Sequence, residues 1–227
     1  MSPDLLVEAF FQASTVKGHR YLDDAGKIMN RWDAHFPEKS VGLDGLIMAN
    51  ADSVFRGLRV DTRTIWIHCS LPDSLNRVVS LAHDTTAEIA KIIEVDQFRR
   101  IGLRLQYVYG VQNLENAAQQ MAENLFSTSW CNMTDPSFLS RSGFEFMVPL
   151  GTEELAANLR VGVVKRDPKV KVKEKIPETG IMIDLDIIRS QITDIRDLKG
   201  ILGKAKSLVE DKLPTIRDNV LQGVNIV

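Results

Sequence analysis

The chain has 227 residues, 44% of them hydrophobic and 26% charged, and a formal net charge of −2 at pH 7. These values are typical of a soluble globular protein with a sizeable core, and they exclude a chain that is strongly basic or acidic as a whole. No stretch reaches the roughly 20 apolar residues that a membrane span requires, and no signal peptide is visible, so we expect a cytoplasmic protein without a membrane partner. Cys69 and Cys131 match no metal-binding spacing, which favours a reducing compartment.

Residues 1–96 predict the element order β-α-β-β-β-α. The apolar run at 5–14 is typical of a central strand, and helical spacing of apolar residues follows until Pro37, which cannot continue a helix. The predicted elements are a strand at 5–14, a helix at 21–36, strands at 41–49, 54–60 and 62–70, and a helix at 74–94.

Residues 97–227 predict the same order without a residue-level repeat. The elements are a strand at 98–107, a helix at 113–126, strands at 144–150, 155–165 and 180–188, and a helix at 194–221. Short connections favour antiparallel pairing, so each half forms a mainly antiparallel sheet with its helices packed on one face, an α+β class. The halves could also join edge to edge in one continuous curved sheet, as an internal structural repeat within one domain.

The run at 98–107 alternates between apolar and polar residues, as a half-buried strand does. Its polar face carries Arg100 and Arg104 on either side of Gly102, which leaves bare backbone between two guanidinium groups. Guanidinium groups bind phosphate and carboxylate through paired hydrogen bonds, so these three residues are an anion-binding candidate. Alternatively, both arginines pair with carboxylates on neighbouring elements, for which Asp184 and Asp186 are the obvious candidates.

The same run carries a family resemblance. Residues 98–104 resemble the Arg-x-Gly-Leu-Arg motif of the TIGR04255 family of sporadically distributed bacterial proteins, and residues 3–9, 32–37 and 179–186 are similar to other segments of that family. After Gly-Leu, family members tend to continue Arg-Tyr-x-Asn, whereas residues 104–107 read Arg-Leu-Gln-Tyr. The resemblance implies a bacterial protein, and it supplies no catalytic residue because the family has no established activity.

Asp184 and Asp186 share one face of their predicted strand. Two carboxylates at this spacing can hold a divalent cation, which suggests a phosphoryl-transfer or nuclease enzyme that uses Mg²⁺ or Mn²⁺ with Arg100 and Arg104 on the phosphate. However, no Glu-x-Lys motif or histidine lies at a spacing from the aspartates that is typical of such metal sites. Pairing with the arginines explains the aspartates without a metal.

Other catalytic signatures are absent from the sequence. There is no Gly-x-Ser-x-Gly elbow, no Gly-x-Gly-x-x-Gly loop and no Walker-type lysine motif. His68 and Cys69 are neighbours on a strand, so their side chains point to opposite faces and cannot form a catalytic pair. The sequence therefore favours a protein that is not an enzyme and that needs no cofactor.

The segment at 165–175 is locally basic. Its alternating lysines could bind nucleic acid, although no aromatic residue interleaves them, and lysines also protect an exposed strand edge from aggregation. The candidate residues are Lys169, Lys171, Lys173 and Lys175.

The loop at 127–141 is longer and more apolar than a plain connection. Trp130, Met133 and Phe138 could dock a partner or a second copy of the chain, or they could fold back over the core. Our leading hypothesis is a non-enzymatic cytoplasmic binding or regulatory module that acts on a protein partner, or as a homodimer, through one sheet face and this loop.

Overall fold

The computed structural model describes residues 4–18, 21–43, 45–126, 143–148, 154–166 and 176–227. Ten strands and four helices lie within these residues. The strands are β1 (Leu5–Thr15), β2 (Glu38–Gly42), β3 (Gly45–Ala49), β4 (Phe55–Val60), β5 (Thr64–Ser70), β6 (Gln97–Gly110), β7 (Gly143–Val148), β8 (Ala156–Lys165), β9 (Thr179–Arg189) and the two-residue β10 (Thr193–Asp194). The helices are α1 (Tyr21–Arg31), α2 (Leu75–Ile92), α3 (Leu114–Leu125) and α4 (Leu198–Val220).

The strands form one antiparallel sheet in the order β2-β3-β4-β5-β1-β6-β9-β8-β7, and β10 pairs with β6. Strands β1 and β6 are neighbours at the centre, where Phe11 lies opposite Leu103 and Ala9 opposite Leu105. Because β1 belongs to the first predicted half and β6 to the second, both halves contribute to a single sheet.

One face of this sheet forms the core. Alternate residues of the central strands point to that face and are buried, as the period-two pattern of β6 predicts: Ile101, Leu103, Leu105 and Tyr107 are between 0% and 5% exposed. The four helices pack on this face with their apolar sides, and α2 lies against α4. The α+β class with helices on one face is therefore confirmed.

Ser74 and Asn113 are the N-cap residues of α2 and α3. The Ser74 side chain accepts a hydrogen bond from the backbone N–H of Arg77, and Asn113 accepts one from Asn116, so each cap satisfies a donor that the first helical turn leaves free. These caps fix where α2 and α3 start.

Two predicted elements were wrong in their extent. The strand predicted at 41–49 is a hairpin of β2 and β3, in which Gly42 pairs with Gly45. Gly45 has φ +131°, and a Cβ there would lie 2.8 Å from the carbonyl oxygen of Val60, so only glycine fits. Helix α1 ends at Arg31 because the chain then turns and buries Phe36 edge-on against Phe55, at 4.8 Å between ring centroids.

The opposite face of the sheet carries no helix among the described residues, and we call it the open face. It displays the alternate residues of the central strands, which include Glu8, Phe10, Gln12, Trp66, His68, Arg100, Arg104, Asp184 and Asp186. No helix in the described part of the chain is long and apolar enough to span a membrane.

Two glycines of the open face provide a test of this packing. A Cβ on Gly180 would lie 2.7 Å from the Tyr109 carbonyl oxygen, whereas no atom lies within 4 Å of a Cβ on Gly102. We expect Gly180→Ala to lower the free energy of unfolding by about 1–3 kcal/mol, as overpacking does, and Gly102→Ala to change it by less than about 0.5 kcal/mol. Urea denaturation of both variants measures the difference. Equal losses of unfolding free energy would contradict the close packing around Gly180.

Candidate functional site

Arg104 of β6 and Asp184 of β9 form an ion pair at the centre of the open face. The Arg104 Nε donates to Asp184 Oδ1 at 2.9 Å and to Oδ2 at 3.0 Å, and Nη2 donates to Oδ2 at 2.5 Å. Gln106 Nε2 also donates to Oδ2, at 3.2 Å. Asp184 is only 1% exposed. Both oxygens of this buried carboxylate therefore already accept hydrogen bonds from protein groups, which offsets the cost of burying its charge.

A cleft of about 310 Å³ opens beside this ion pair, above Gly102. Its lining comes from four central strands and consists of Phe10, Gln12, Trp66, Arg100, Gly102, Arg104 and Asp186. Since Gly102 has no side chain and a Cβ there would meet no atom within 4 Å, the floor of the cleft is β6 backbone. We call this space the Gly102 cleft.

Arg100 and Asp186 are the unpaired charges of the Gly102 cleft. Within the described residues, neither side chain has a partner at hydrogen-bond or ion-pair distance. The two charges nevertheless influence each other, because the guanidinium of Arg100 favours the ionised form of Asp186. A ligand in the cleft thus meets one free cation and one free carboxylate, in a site that is partly shielded from water.

Asp186 is also held in an unfavourable environment. Burial raises the pKa of its carboxyl group above the ordinary value, although the guanidinium groups of Arg100, Arg104 and Arg160 partly oppose this effect. A raised pKa means that the folded protein binds the proton more tightly than the unfolded chain does. The stability of the fold therefore falls as the pH rises through the titration range of Asp186.

Three neighbouring rings form one wall beside the Gly102 cleft, two of them stacked and the third tilted. Phe10 lies parallel to His68, with 4.6 Å between ring centroids and 12° between planes, and Trp66 lies 5.7 Å from Phe10. Glu8 holds His68 by a hydrogen bond to Nε2 and accepts another from Ser70 Oγ at 3.0 Å. Sequence reasoning missed this wall, although the signal was present: Phe10 and Gln12 share one face of β1, and Trp66 and His68 share one face of β5.

The metal hypothesis rests on Asp184 and Asp186, which lie on the same face of β9 as the sequence predicted. The two carboxylates differ, since Asp184 is fully engaged by Arg104 and Gln106 while Asp186 faces the Gly102 cleft. Among the described residues, no group of three His, Cys, Asp or Glu side chains could hold a metal ion. A divalent cation there would have to compete with Arg104 for Asp184.

Cys69 points to the core and not to the open face. Burial raises the pKa of its thiol to about 12, and the nearby charge of Glu8 acts in the same direction. Because the thiolate is the nucleophilic form, Cys69 is inert at neutral pH.

The remaining candidates lie outside the described residues. These are the partner-binding candidates Trp130, Met133 and Phe138 and the nucleic-acid candidates Lys169, Lys171, Lys173 and Lys175. Both hypotheses stay predictions from the sequence.

We expect Asp184→Asn to destabilise the fold. The substitution keeps the shape of the side chain but removes the charge that Arg104 neutralises. Breaking a fully buried pair costs about 3–5 kcal/mol, and we expect about 2 kcal/mol here because water can reach part of Arg104, whose side chain is 36% exposed. Chemical denaturation at pH 7 measures the loss, and an unchanged midpoint would show that the pair contributes nothing.

We expect Asp186→Asn to have the opposite effect. The amide removes a carboxyl group whose pKa burial raises, so the variant should be more stable than the natural protein at neutral pH. The gain should shrink as the pH falls below the titration range of Asp186, where the natural side chain is protonated. Thermal unfolding between pH 4 and pH 8 tests this, and a gain that is independent of pH would contradict it.

No family model matches the sequence, and no curated protein matches it. The family resemblance therefore stays a prediction, and conclusions about function depend on the geometry of the open face.

Proposed function

We propose that this chain is a non-enzymatic cytoplasmic binding module that docks a protein partner through the open face of its sheet. The observation that carries the proposal is the unpaired Arg100 guanidinium beside the bare backbone of Gly102. A charged group that is partly removed from water and left without a partner is costly, and a partner's opposite charge would offset that cost.

The partner group that fits Arg100 is a carboxylate. An aspartate or glutamate side chain can take two parallel hydrogen bonds from a guanidinium, and the absence of a side chain at Gly102 lets the partner approach closely. Trp66 and Phe10 beside the cleft provide apolar area for the residues that flank this carboxylate. Tryptophan and arginine are the residue types that dominate binding energy in protein interfaces.

The carboxylate of Asp186 favours a protein over a nucleic acid at the Gly102 cleft. Asp186 is unpaired inside the Gly102 cleft, and it would repel a phosphate backbone, whereas a protein segment can supply charges of both signs. A partner with an acidic residue for Arg100 and a donor for Asp186 satisfies both free groups. The nucleic-acid hypothesis depends on the lysines at 169–175 and stays a prediction.

A second copy of the chain fits this face less well than a separate partner. In a two-fold dimer the same patch faces itself, so an excess of one sign of charge on the patch opposes pairing. From β4 to β8 in the sheet order, the open face presents more basic than acidic residues: Arg56, Arg59, Arg100, Arg104 and Arg160 against Glu8, Asp184 and Asp186. This excess favours an acidic partner.

An enzymatic role has less support. The metal-dependent alternative needs Asp184 as a ligand, yet Arg104 and Gln106 bind both of its oxygens. Asp184 is better explained as the group that positions Arg104 at the edge of the Gly102 cleft.

Selection from a displayed library of random peptides tests the proposed function. We expect the purified protein to enrich peptides that combine Asp or Glu with an aromatic or aliphatic neighbour. Arg100→Glu should weaken the binding of these peptides at least tenfold, because it places a negative charge against the peptide carboxylate. Fluorescence anisotropy with the enriched peptides measures the affinities.

Arg77→Glu is the matched control, since Arg77 is exposed on helix α2, which covers the opposite face of the sheet. It makes the same change of charge and should leave peptide affinity unchanged. Enrichment of peptides without acidic residues, or equal losses in both variants, would overturn the proposal. So would a stable dimer that dissociates on Arg100→Glu, because the face would then serve self-association.

A further inference from the structure

A second cavity lies on the open face, at the opposite end from the Gly102 cleft. Its volume is about 220 Å³. Residues of six neighbouring strands line it, from Arg56 on β4 to Val164 on β8. On a flat sheet these outer strands would lie about 24 Å apart, so the sheet curves around the cavity. Glu8 borders it and lies two residues along β1 from Phe10 of the Gly102 cleft, so the two spaces are about 7 Å apart along the strand.

Two β-bulges shape the cavity. The pairing of β1 with β6 shifts between Leu6 and Glu8, and the pairing of β4 with β5 shifts between Phe55 and Gly57. Val7 and Arg56 are the extra residues of these bulges, and both line the cavity. A bulge bends its strand and re-aims a side chain, and bulges are common beside binding sites.

A strained residue lies between the two bulges. Leu71 also lines the cavity, and it has φ +48°, in the left-handed region that a branched side chain rarely adopts. Its N–H donates to the carbonyl oxygen of Val7 at 2.7 Å, so the strained residue is tied to the bulge of β1. Strained backbone of this kind concentrates at sites that bind ligands.

Arg56 places a hydrogen-bond donor without an acceptor at the wall of the cavity. Its Nε is buried and has no hydrogen-bond partner among the described residues. Glu8 is the acidic residue at the cavity, but its two oxygens bind His68 and Ser70. Lys165 and Arg166 line the same cavity, and Arg166 donates to the Ile176 carbonyl oxygen at 2.5 Å. The charged lining is therefore mainly cationic, with a buried donor that lacks an acceptor.

Apart from Ser70 and Gln106, the remaining walls of the cavity are apolar. Val108, Met182 and Pro177 are among the residues that form them. The volume is below the roughly 300 Å³ at which pockets for drug-sized ligands begin, so the cavity suits a small molecule. Such a molecule must carry an anionic head for Arg56 and an apolar body for the walls.

We propose that this cavity binds a small free carboxylate with a short apolar tail. The carboxylate accepts hydrogen bonds from Arg56, including the one that its buried Nε lacks, and the tail packs against Val108 and Met182. The bulges at Val7 and Arg56 and the strained Leu71 build this site. It is separate from the Gly102 cleft, so it does not depend on the function proposed for that cleft.

Three eight-carbon probes that differ only in the head group test the proposal: octanoate, octanol and octylammonium. In an NMR titration of the ¹⁵N-labelled protein, we expect octanoate to bind at least tenfold more tightly than the other two. The amide signals of Val7, Arg56, Val108 and Met182 should shift. No binding of octanoate, equal binding of octanol, or shifts confined to other residues would overturn the proposal.

Variants at Arg56 and Val164 sharpen the test. Arg56→Met keeps the length of the side chain without the charge and should reduce octanoate affinity at least tenfold, whereas Arg59→Met on the same strand should leave it unchanged. Should Arg56→Met fold poorly, Val164→Trp fills the cavity from β8 and should abolish binding. Octanoate affinity that survives Val164→Trp contradicts the site. Arg100→Glu should leave octanoate binding intact, which separates this proposal from the function of the Gly102 cleft.

Discussion

The antiparallel pairing of β1 with β6 is the constraint on which the rest of the structure depends. It joins two sets of strands, β2 to β5 on one side and β7 to β9 on the other, into one sheet. The apolar faces of both central strands then meet, as Phe11 and Leu103 do, and the helices have one continuous surface to cover. One layer of helices covers one face only, so the other face is in contact with water. Its side chains must therefore satisfy their charges and hydrogen-bonding groups among themselves, with water or with a ligand.

The open face meets this requirement with two hydrogen-bonded groups of polar side chains. Glu8 binds His68 and Ser70, and Asp184 binds Arg104 and Gln106. These satisfied groups lie between the Gly102 cleft and the cavity at Arg56, where polar groups remain unsatisfied. The contrast matters because a fold has no need of unsatisfied groups for its own stability. The two proposed binding sites therefore rest on the groups of the open face that lack partners among the described residues.

Sequence reasoning recovered the class, most elements and the polarity of the central strand. The alternation at 98–107 placed Arg100, Gly102 and Arg104 together, because side-chain direction in a strand follows from position alone. It could not choose between Asp184 and Asp186 as the partner of Arg104, since the register between β6 and β9 is set by distant packing. The sequence predicts one strand where the structure has a hairpin at Gly42 and Gly45. The apolar residues of this stretch indicate a strand more strongly than its glycines indicate a turn. The bulges at Val7 and Arg56 produce no periodic pattern in the sequence, so the second cavity could not be predicted from it.

The position of β1 has a consequence for how the chain reaches its native state. Its partners come much later in the sequence: Phe10 pairs with Arg104, roughly ninety residues further on, so the central sheet closes only after a long loop is ordered. Even after β5 has paired with one edge of β1, the other edge stays unpaired until β6 arrives, and an apolar strand with a free edge is the kind of segment that aggregates. Folding should therefore be slow for a chain of this size. During synthesis, β1 can pair with β6 only after β6 has left the ribosome.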